Sequence, residues 1–214
     1  MKFYYHPIST YSQKVLIALN EKGVEFEPQV VALMDPKAKA EFRELYPLGK
    51  IPLLVTDEGR KIPESSIIIE YLDGVAGPKL IFGNAEQSRQ VRFKDRMFDL
   101  YLNESVTTLL FQSMKPASQR DKERIETATF RSNTMYGLME KELANQPFAA
   151  GETFSMADCA AAPALFYAQK TAPFGGFRHV SAYWERLASR PSVQQVIKEA
   201  EPHIKAFMSQ DAAA

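Results

Sequence analysis

Cysteine is almost missing: Cys159 is the only one in 214 residues, so no intrachain disulfide can staple the fold. An excess of either charge is missing too. Lys and Arg number 26, as do Asp and Glu, for a formal net charge of +0, and that balance excludes the polybasic signature of nucleic-acid or acidic-membrane binders. Met1-Lys2 runs directly into Phe3-Tyr4-Tyr5 without the apolar stretch of a secretory signal. A reducing, cytoplasmic setting is therefore expected. Long hydrophobic runs are absent as well; Cys159-Ala160-Ala161-Ala162-Pro163-Ala164-Leu165 falls far short of the roughly 20 residues that span a bilayer and reads as a buried helix. His179 and His203 have no zinc spacing, and the glycines form neither a dinucleotide fingerprint nor a phosphate loop. No metal and no tightly bound cofactor are expected.

What remains is a chain long enough for one large or two small domains, and its two parts are patterned differently. Lys2-Phe3-Tyr4-Tyr5 suits a strand, and Val15, Leu16 and Leu19 lie on one stripe of a helix that Gly23 can end. Residues 25–31 are again extended, with Pro28 arguing for a sheet edge because proline has no backbone donor. A short helix around Phe42, a buried strand over 51–55, a turn at Asp57-Glu58-Gly59-Arg60, a short strand at Lys61-Ile62 and a helix over 66–72 complete a β-α-β-containing unit. Gly74-Val75-Ala76-Gly77-Pro78 reads as a linker, and everything after Asn84 is helical in pattern. Asn84 with Gln87 and Ser118 with Asp121 are candidate helix caps, and Phe93, Met97 and Tyr101 at i, i+4 and i+8 predict a face packed on another helix. In Phe154-Ser155-Met156-Ala157-Asp158-Cys159, Ser155 and Asp158 fit a capping box, so Asp158 is assigned a structural role and Cys159 a packing role. The expected division is residues 1–76, a connecting segment 77–87, and an all-helical domain over 88–214.

Three segments of the first part have the chemistry to hold a small acidic peptide. In Gly49-Lys50-Ile51-Pro52, a cis Pro52 at the start of a strand would leave the Ile51 backbone able to pair with an extended ligand. At the start of the next helix, Ser65 and the first N–H groups can take a carboxylate while Glu64 takes an ammonium. A hairpin between these segments brings them together. In Ser9-Thr10-Tyr11-Ser12, a pairing of Ser9 with Ser12 or of Thr10 with Gln13 can cap the first helix, and the Ser9 hydroxyl can also stabilise a ligand thiolate. His6, just past the first strand, is read as a solvated or hydrogen-bonded loop residue, the alternative being an approach to the ligand pocket.

The order Tyr5-His6-Pro7-Ile8-Ser9-Thr10-Tyr11-Ser12-Gln13-Lys14-Val15, Pro47-Leu48-Gly49-Lys50-Ile51-Pro52, Glu64-Ser65 and Phe154-Ser155-Met156-Ala157-Asp158 resembles the cytosolic glutathione transferases over nearly the whole chain. The resemblance implies an α/β thioredoxin-like N-terminal domain followed by an all-helical C-terminal domain, of the serine-using, bacterial or phi-, theta- or zeta-like type. It places Ser9 at the glutathione sulfur, with Ser12 and Tyr11 as alternatives. Ile51 and cis Pro52 would hold the cysteinyl backbone, and Glu64 and Ser65 the γ-glutamyl end. Lys37, Lys39 and Lys50 are candidates for the glycyl carboxylate. No cysteine lies within residues 9–12, which turns the expectation away from cysteine-using classes. Glutathione is expected as co-substrate, a small apolar electrophile as its partner, and a homodimer as the assembly. Phe98, Tyr101, Phe111 and Tyr167 are the candidates for lining the electrophile pocket, the alternative being that most of them simply fill the core. The implied reaction is conjugation of glutathione, the alternatives being a non-catalytic glutathione-binding or regulatory protein and a glutathione-dependent peroxidase or dehalogenase.

Overall fold

Alternation sets the first strand: β1 (Lys2–Tyr5) buries Phe3 and Tyr5 on one face and turns Tyr4 to the other. In the computed structural model, which describes residues 1–32 and 34–211, the last four as backbone only, β1 joins a four-stranded sheet of order β2-β1-β3-β4. β2 (Glu27–Val30) runs parallel to β1 and is the edge strand expected from Pro28. β3 (Leu53–Val55) and β4 (Lys61–Pro63) are antiparallel neighbours. Helix α2 (Pro36–Leu45) covers one face, where Phe42 meets Tyr4, Val31 and Leu53. The opposite face, with Phe3, Leu54 and Ile62 in register, is closed by α1 (Thr10–Lys22) and α3 (Ser65–Asp73). α1 is buried all round from Ser12 to Leu19 and ends at Gly23 in the left-handed conformation, φ 61°. This is the thioredoxin-like arrangement that the sequence implied.

The described residues divide into two compact units, Met1–Pro78 with 195–211, and Lys79–Gln194. The second is helical, comprising α4 (Ala85–Met97), a π-helical segment Phe98–Asn103, α5 (Glu104–Met114), α6 (Lys122–Leu143), α7 (Met156–Thr171) and α8 (Arg178–Ala188). The last helix, α9 (Pro191–Asp211), crosses from this unit into the first. Asn84 and Gln87 form the expected capping box of α4. At α7, Asp158 Oδ2 accepts from the Ser155 N–H (2.8 Å) and hydroxyl (2.7 Å), and its Oδ1 accepts from the Ala149 N–H (2.8 Å) and the Tyr183 hydroxyl (2.6 Å). Cys159 beside it is fully buried, as its packing role requires. No described helix is long and apolar enough to cross a membrane.

Several local expectations need correction. Ile51 and Pro52 precede β3, which starts at Leu53, because proline cannot donate to the ladder. α3 starts one residue earlier than predicted, at Ser65. The cap of α6 is Asp121, whose side chain accepts from the Arg124 N–H, while Ser118 lies in a preceding 3-10 turn. The Phe93, Met97, Tyr101 stripe is not the buried one. Phe93 and Tyr101 are half exposed, and the line that packs inward is Val91, Asp95, Phe98 and Leu102. Val91 and Phe93, like Asp95 and Met97, are two residues apart, about half a turn, so the two lines diverge, and the i, i+4, i+8 repeat picked out the exposed one. Of the candidates for lining an electrophile pocket, Phe98 takes the core place that was the alternative reading, while Tyr101 and Phe111 are exposed.

One buried ion pair ties the first unit together. Lys22 Nζ, with a fully buried side chain, donates to Asp73 Oδ1 (2.8 Å) and to the Pro78 carbonyl (2.7 Å), joining the ends of α1 and α3 to the outgoing chain. Gly77, at φ +70°, crosses so close to Lys22 that a Cβ there would meet its carbonyl oxygen at 2.4 Å. Removing one partner strands the other charge in the interior. Asp73→Ala is expected to cost about 4 kcal/mol of stability, while a Lys22→Met, Asp73→Leu double variant recovers most of it; urea unfolding of the two variants measures both.

Candidate active site

Strand register decides which loops meet. Tyr4 pairs with Leu53, and Leu53 pairs with Pro63. The carboxyl end of β1, the start of β3 and the carboxyl end of β4 therefore share one end of the sheet. The Ser9 segment, Ile51-Pro52 and Glu64-Ser65 are the residues that leave or enter the strands there. β2, parallel to β1, also exits at this end, and the chain then enters α2, which carries Lys37 and Lys39.

Each segment has a specific local geometry. Ser9 is the N-cap of α1 with extended backbone, its Oγ accepting from the Ser12 N–H at 3.4 Å. A hydroxyl that accepts in this way keeps its own hydrogen as a donor, and Ser9 is half-buried. The predicted Ser9 and Ser12 cap is the one formed. Ser12 differs from Ser9: it is fully buried and its Oγ accepts from the His6 N–H at 3.4 Å, facing into the protein. The Ile51–Pro52 peptide bond is cis; Pro52 is buried and Ile51 half-buried, beyond the last residue of the β3 ladder. Glu64 caps α3 with φ 71° and no side-chain capping bond, the one non-glycine residue at positive φ among those described. Such a backbone costs of order 1–3 kcal/mol and clusters at ligand clamps. It leaves the Glu64 carboxylate exposed beside Ser65, the buried first residue of α3. Ser66 behind it accepts from buried Lys14 at 2.9 Å.

The three segments are thus brought to one end of the sheet, but the lysines are held less firmly. Lys50 is exposed next to Ile51, Lys39 is exposed on α2, and Lys37 is exposed near the start of α2 with Glu41 at 3.9 Å. Among the described residues no group of three or more His, Cys, Asp or Glu could hold a metal. A cleft of about 420 Å³ between α5 and α6, lined by Ser105, Thr108, Arg124, Thr127 and Arg131, lies wholly in the helical unit and contains none of these residues.

Two contacts had no signal in the sequence. The Tyr5 hydroxyl donates to Glu199 Oε1 at 2.6 Å, 194 positions away. The His6 and His203 rings meet edge to face with centroids 5.5 Å apart. Burial, and then His203, lower the pKa of His6 below its usual value. His6 is accordingly the hydrogen-bonded loop residue it was expected to be, its Nδ1 accepting from the Ile8 N–H at 3.3 Å. No spacing rule links residues so far apart.

The comparisons agree with this architecture. Residues 8–75 match the glutathione S-transferase N-terminal domain and residues 102–191 the glutathione S-transferase C-terminal domain. Glutathione S-transferase F6 of Arabidopsis thaliana is 30% identical over 209 residues, covering 92% of this chain and 99% of that protein. Among solved structures, glutathione transferase F7 from Populus trichocarpa superposes with a TM-score of 0.79 at 26% identity, over 92% of this chain and 98% of the other. A glutathione S-transferase from Methylobacillus flagellatus with GSH bound has the same fold, with a TM-score of 0.82 at 24% identity over 91% and 98% of the two chains. With both domain models matched in order and a relative aligned almost end to end, the chain belongs to the glutathione S-transferase family.

Proposed function

We propose that this transferase conjugates glutathione to small apolar electrophiles and belongs to the serine-using type, the Ser9 hydroxyl donating to the glutathione sulfur and holding it as thiolate. The supporting observation is the convergence at one sheet end of a half-buried hydroxyl, a cis Ile51–Pro52 segment outside the ladder and a positive-φ Glu64 leading into a helix amino end. In this reading Ile51 pairs with the cysteinyl backbone, Ser65 and the start of α3 take the γ-glutamyl carboxylate, and Glu64 takes its ammonium. Lys37 and Lys50 attract the glycyl carboxylate through a solvent-screened field. Tyr11 and Ser12 are set aside, Ser12 because its hydroxyl is buried against the His6 peptide.

The chemistry is economical. A free thiol has a pKa of about 8.5, so only a few per cent is thiolate near pH 7. A hydroxyl donor together with the amino end of α1 favours the anion and raises that fraction. The sulfur then attacks the electrophile, its S–C bond forming as the leaving group departs with the electron pair. Ultraviolet titration of bound glutathione and a single-turnover reaction with an activated aryl halide test the proposal. A lowered thiol pKa with measurable conjugation supports it. Tight binding with no turnover of any electrophile supports the non-catalytic reading instead, and turnover confined to peroxides or haloalkanes supports the peroxidase or dehalogenase reading.

A homodimer pairing the amino domain of one subunit with the helical domain of the other accompanies this reading, in a reducing cytoplasmic setting that suits the lone buried Cys159. The exposed aromatic side chains Phe93 (52% exposed), Tyr101 (50%) and Phe130 (72%) favour an apolar partner surface. Sedimentation is expected to give a dimer mass at micromolar concentration, and a Phe93→Glu, Tyr101→Glu variant a monomer mass. A wild-type monomer in the presence of glutathione sinks this assembly.

A further inference from the structure

The end of β1 is held by the last helix, and His6, the residue that follows β1, in turn holds the Ser9 loop. Glu199 and His203 lie four apart on α9, hence on one face. They engage the consecutive residues Tyr5 and His6, through the 2.6 Å hydrogen bond and the 5.5 Å ring contact. The residues of α9 from Gln195 on belong to the same compact unit as the sheet. Three polar groups of His6, its carbonyl, its N–H and its Nδ1, are in turn spent on the loop that follows. Its carbonyl accepts from the Ser9 N–H (3.0 Å), its N–H donates to Ser12 Oγ (3.4 Å), and its Nδ1 accepts from the Ile8 N–H (3.3 Å). Ser12 then donates its own N–H to Ser9 Oγ. A short chain of contacts therefore runs from α9 through Tyr5 and His6 to the Ser9 hydroxyl. We propose that Tyr5, His6, Glu199 and His203 are positioning residues: α9 braces the β1 end and thereby sets where the Ser9 hydroxyl points.

The physical reason is the tolerance of a thiolate contact. A donor displaced by about 1 Å loses a large part of its effect on the reacting atom, and a cap at 3.4 Å is by itself a loose anchor. Fixing the preceding peptide at three points, and clamping that residue and its neighbour from α9, supplies the rigidity the cap lacks. The Ile51, Glu64 and Ser65 segments are attached to β3, β4 and α3, so the brace acts on the sulfur contact and leaves the rest of the peptide site alone.

This inference rests on Ser9 as the sulfur donor, and the test separates the two. Tyr5→Phe keeps the ring and removes the donor; His203→Ala removes the ring contact; Glu199→Gln keeps an acceptor and serves as the conservative rescue. Tyr5→Phe and His203→Ala are expected to lower kcat about fivefold and to raise the thiol pKa of bound glutathione, with glutathione affinity unchanged within about twofold, while Glu199→Gln stays near wild type. In a Ser9→Ala background Tyr5→Phe adds nothing further. If Ser9→Ala shifts the thiol titration and neither brace variant does, the brace is wrong and Ser9 stands. If Ser9→Ala shifts nothing, the sulfur assignment falls, and amide hydrogen exchange at Ser9 and Ser12 decides the brace: faster exchange in Tyr5→Phe upholds it as a loop anchor, and unchanged exchange overturns it. A loss of glutathione affinity equal to the loss of kcat also overturns it, because that outcome is general disruption of the site.

Discussion

Ser9→Ala is expected to lower kcat for conjugation about 100-fold, the usual cost of deleting one preorganised donor to a developing or resident anion, while glutathione affinity changes little. The split follows from where Ser9 sits. It caps α1 at the carboxyl end of β1, whereas the peptide-holding candidates belong to the β3 start and the β4 to α3 junction. In the proposed site the hydroxyl touches the ligand only at its sulfur, so without it the bound thiol is expected to titrate closer to its solution value, with less thiolate near neutral pH. Ser9→Thr keeps a hydroxyl and a capping oxygen and retains a substantial part of the rate. The cap itself contributes about 1 kcal/mol, too little to unfold the unit, so a folded Ser9→Ala protein with unchanged thiol titration and turnover would remove Ser9 from the mechanism.

Asp158→Ala is expected to be the most destabilising single change in the helical unit, by about 4 kcal/mol, or roughly 10 °C in Tm. The side chain is fully buried and accepts four hydrogen bonds, from the Ala149 and Ser155 N–H groups and the Ser155 and Tyr183 hydroxyls. Burial pushes its carboxyl above the usual carboxylate range, with the donors pulling the other way. Burial, and then the adjacent Asp158, push the Tyr183 phenol up as well. Alanine strands all four donors in a dry interior. Asp158→Asn is milder, about half the loss, because one amide oxygen still receives Ala149 and Tyr183 and the Ser155 hydroxyl can reverse to accept; only the Ser155 N–H then faces a donor. Thermal unfolding of the two variants gives the ranking, and equal losses would mean that charge rather than acceptor count is what the site requires.

Asp158 also shows how far sequence reasoning reaches. Ser155 and Asp158 sit three apart before an alanine-rich run, and a local rule identifies the capping box. That Asp158 also receives Ala149 and Tyr183 is invisible locally, since Tyr183 is 25 positions away. The same division holds at the candidate site. Residue types within a few positions offered the Ser9 cap as one of two, allowed a cis Pro52 beside a plain turn, and placed the start of α3 one residue late; the structure chose among these. Helical period could not tell the Val91, Asp95, Phe98, Leu102 face from the Phe93, Met97, Tyr101 face, because both repeat correctly and only packing chooses between them.

The sequence by itself determined a β-α-β-containing unit followed by a helical one and the short segments with chemistry to offer, because caps, turns and proline geometry are set by neighbours along the chain; the thioredoxin-like fold and the family came through the resemblance of those segments to the glutathione transferases. Tertiary structure decided that these segments share one end of the sheet, through the Tyr4, Leu53 and Pro63 register. It also decided that Ser12 faces inward and that Glu199 and His203 reach back to Tyr5 and His6. Those contacts depend on strand pairing and on the path of the last helix, and chain proximity encodes neither.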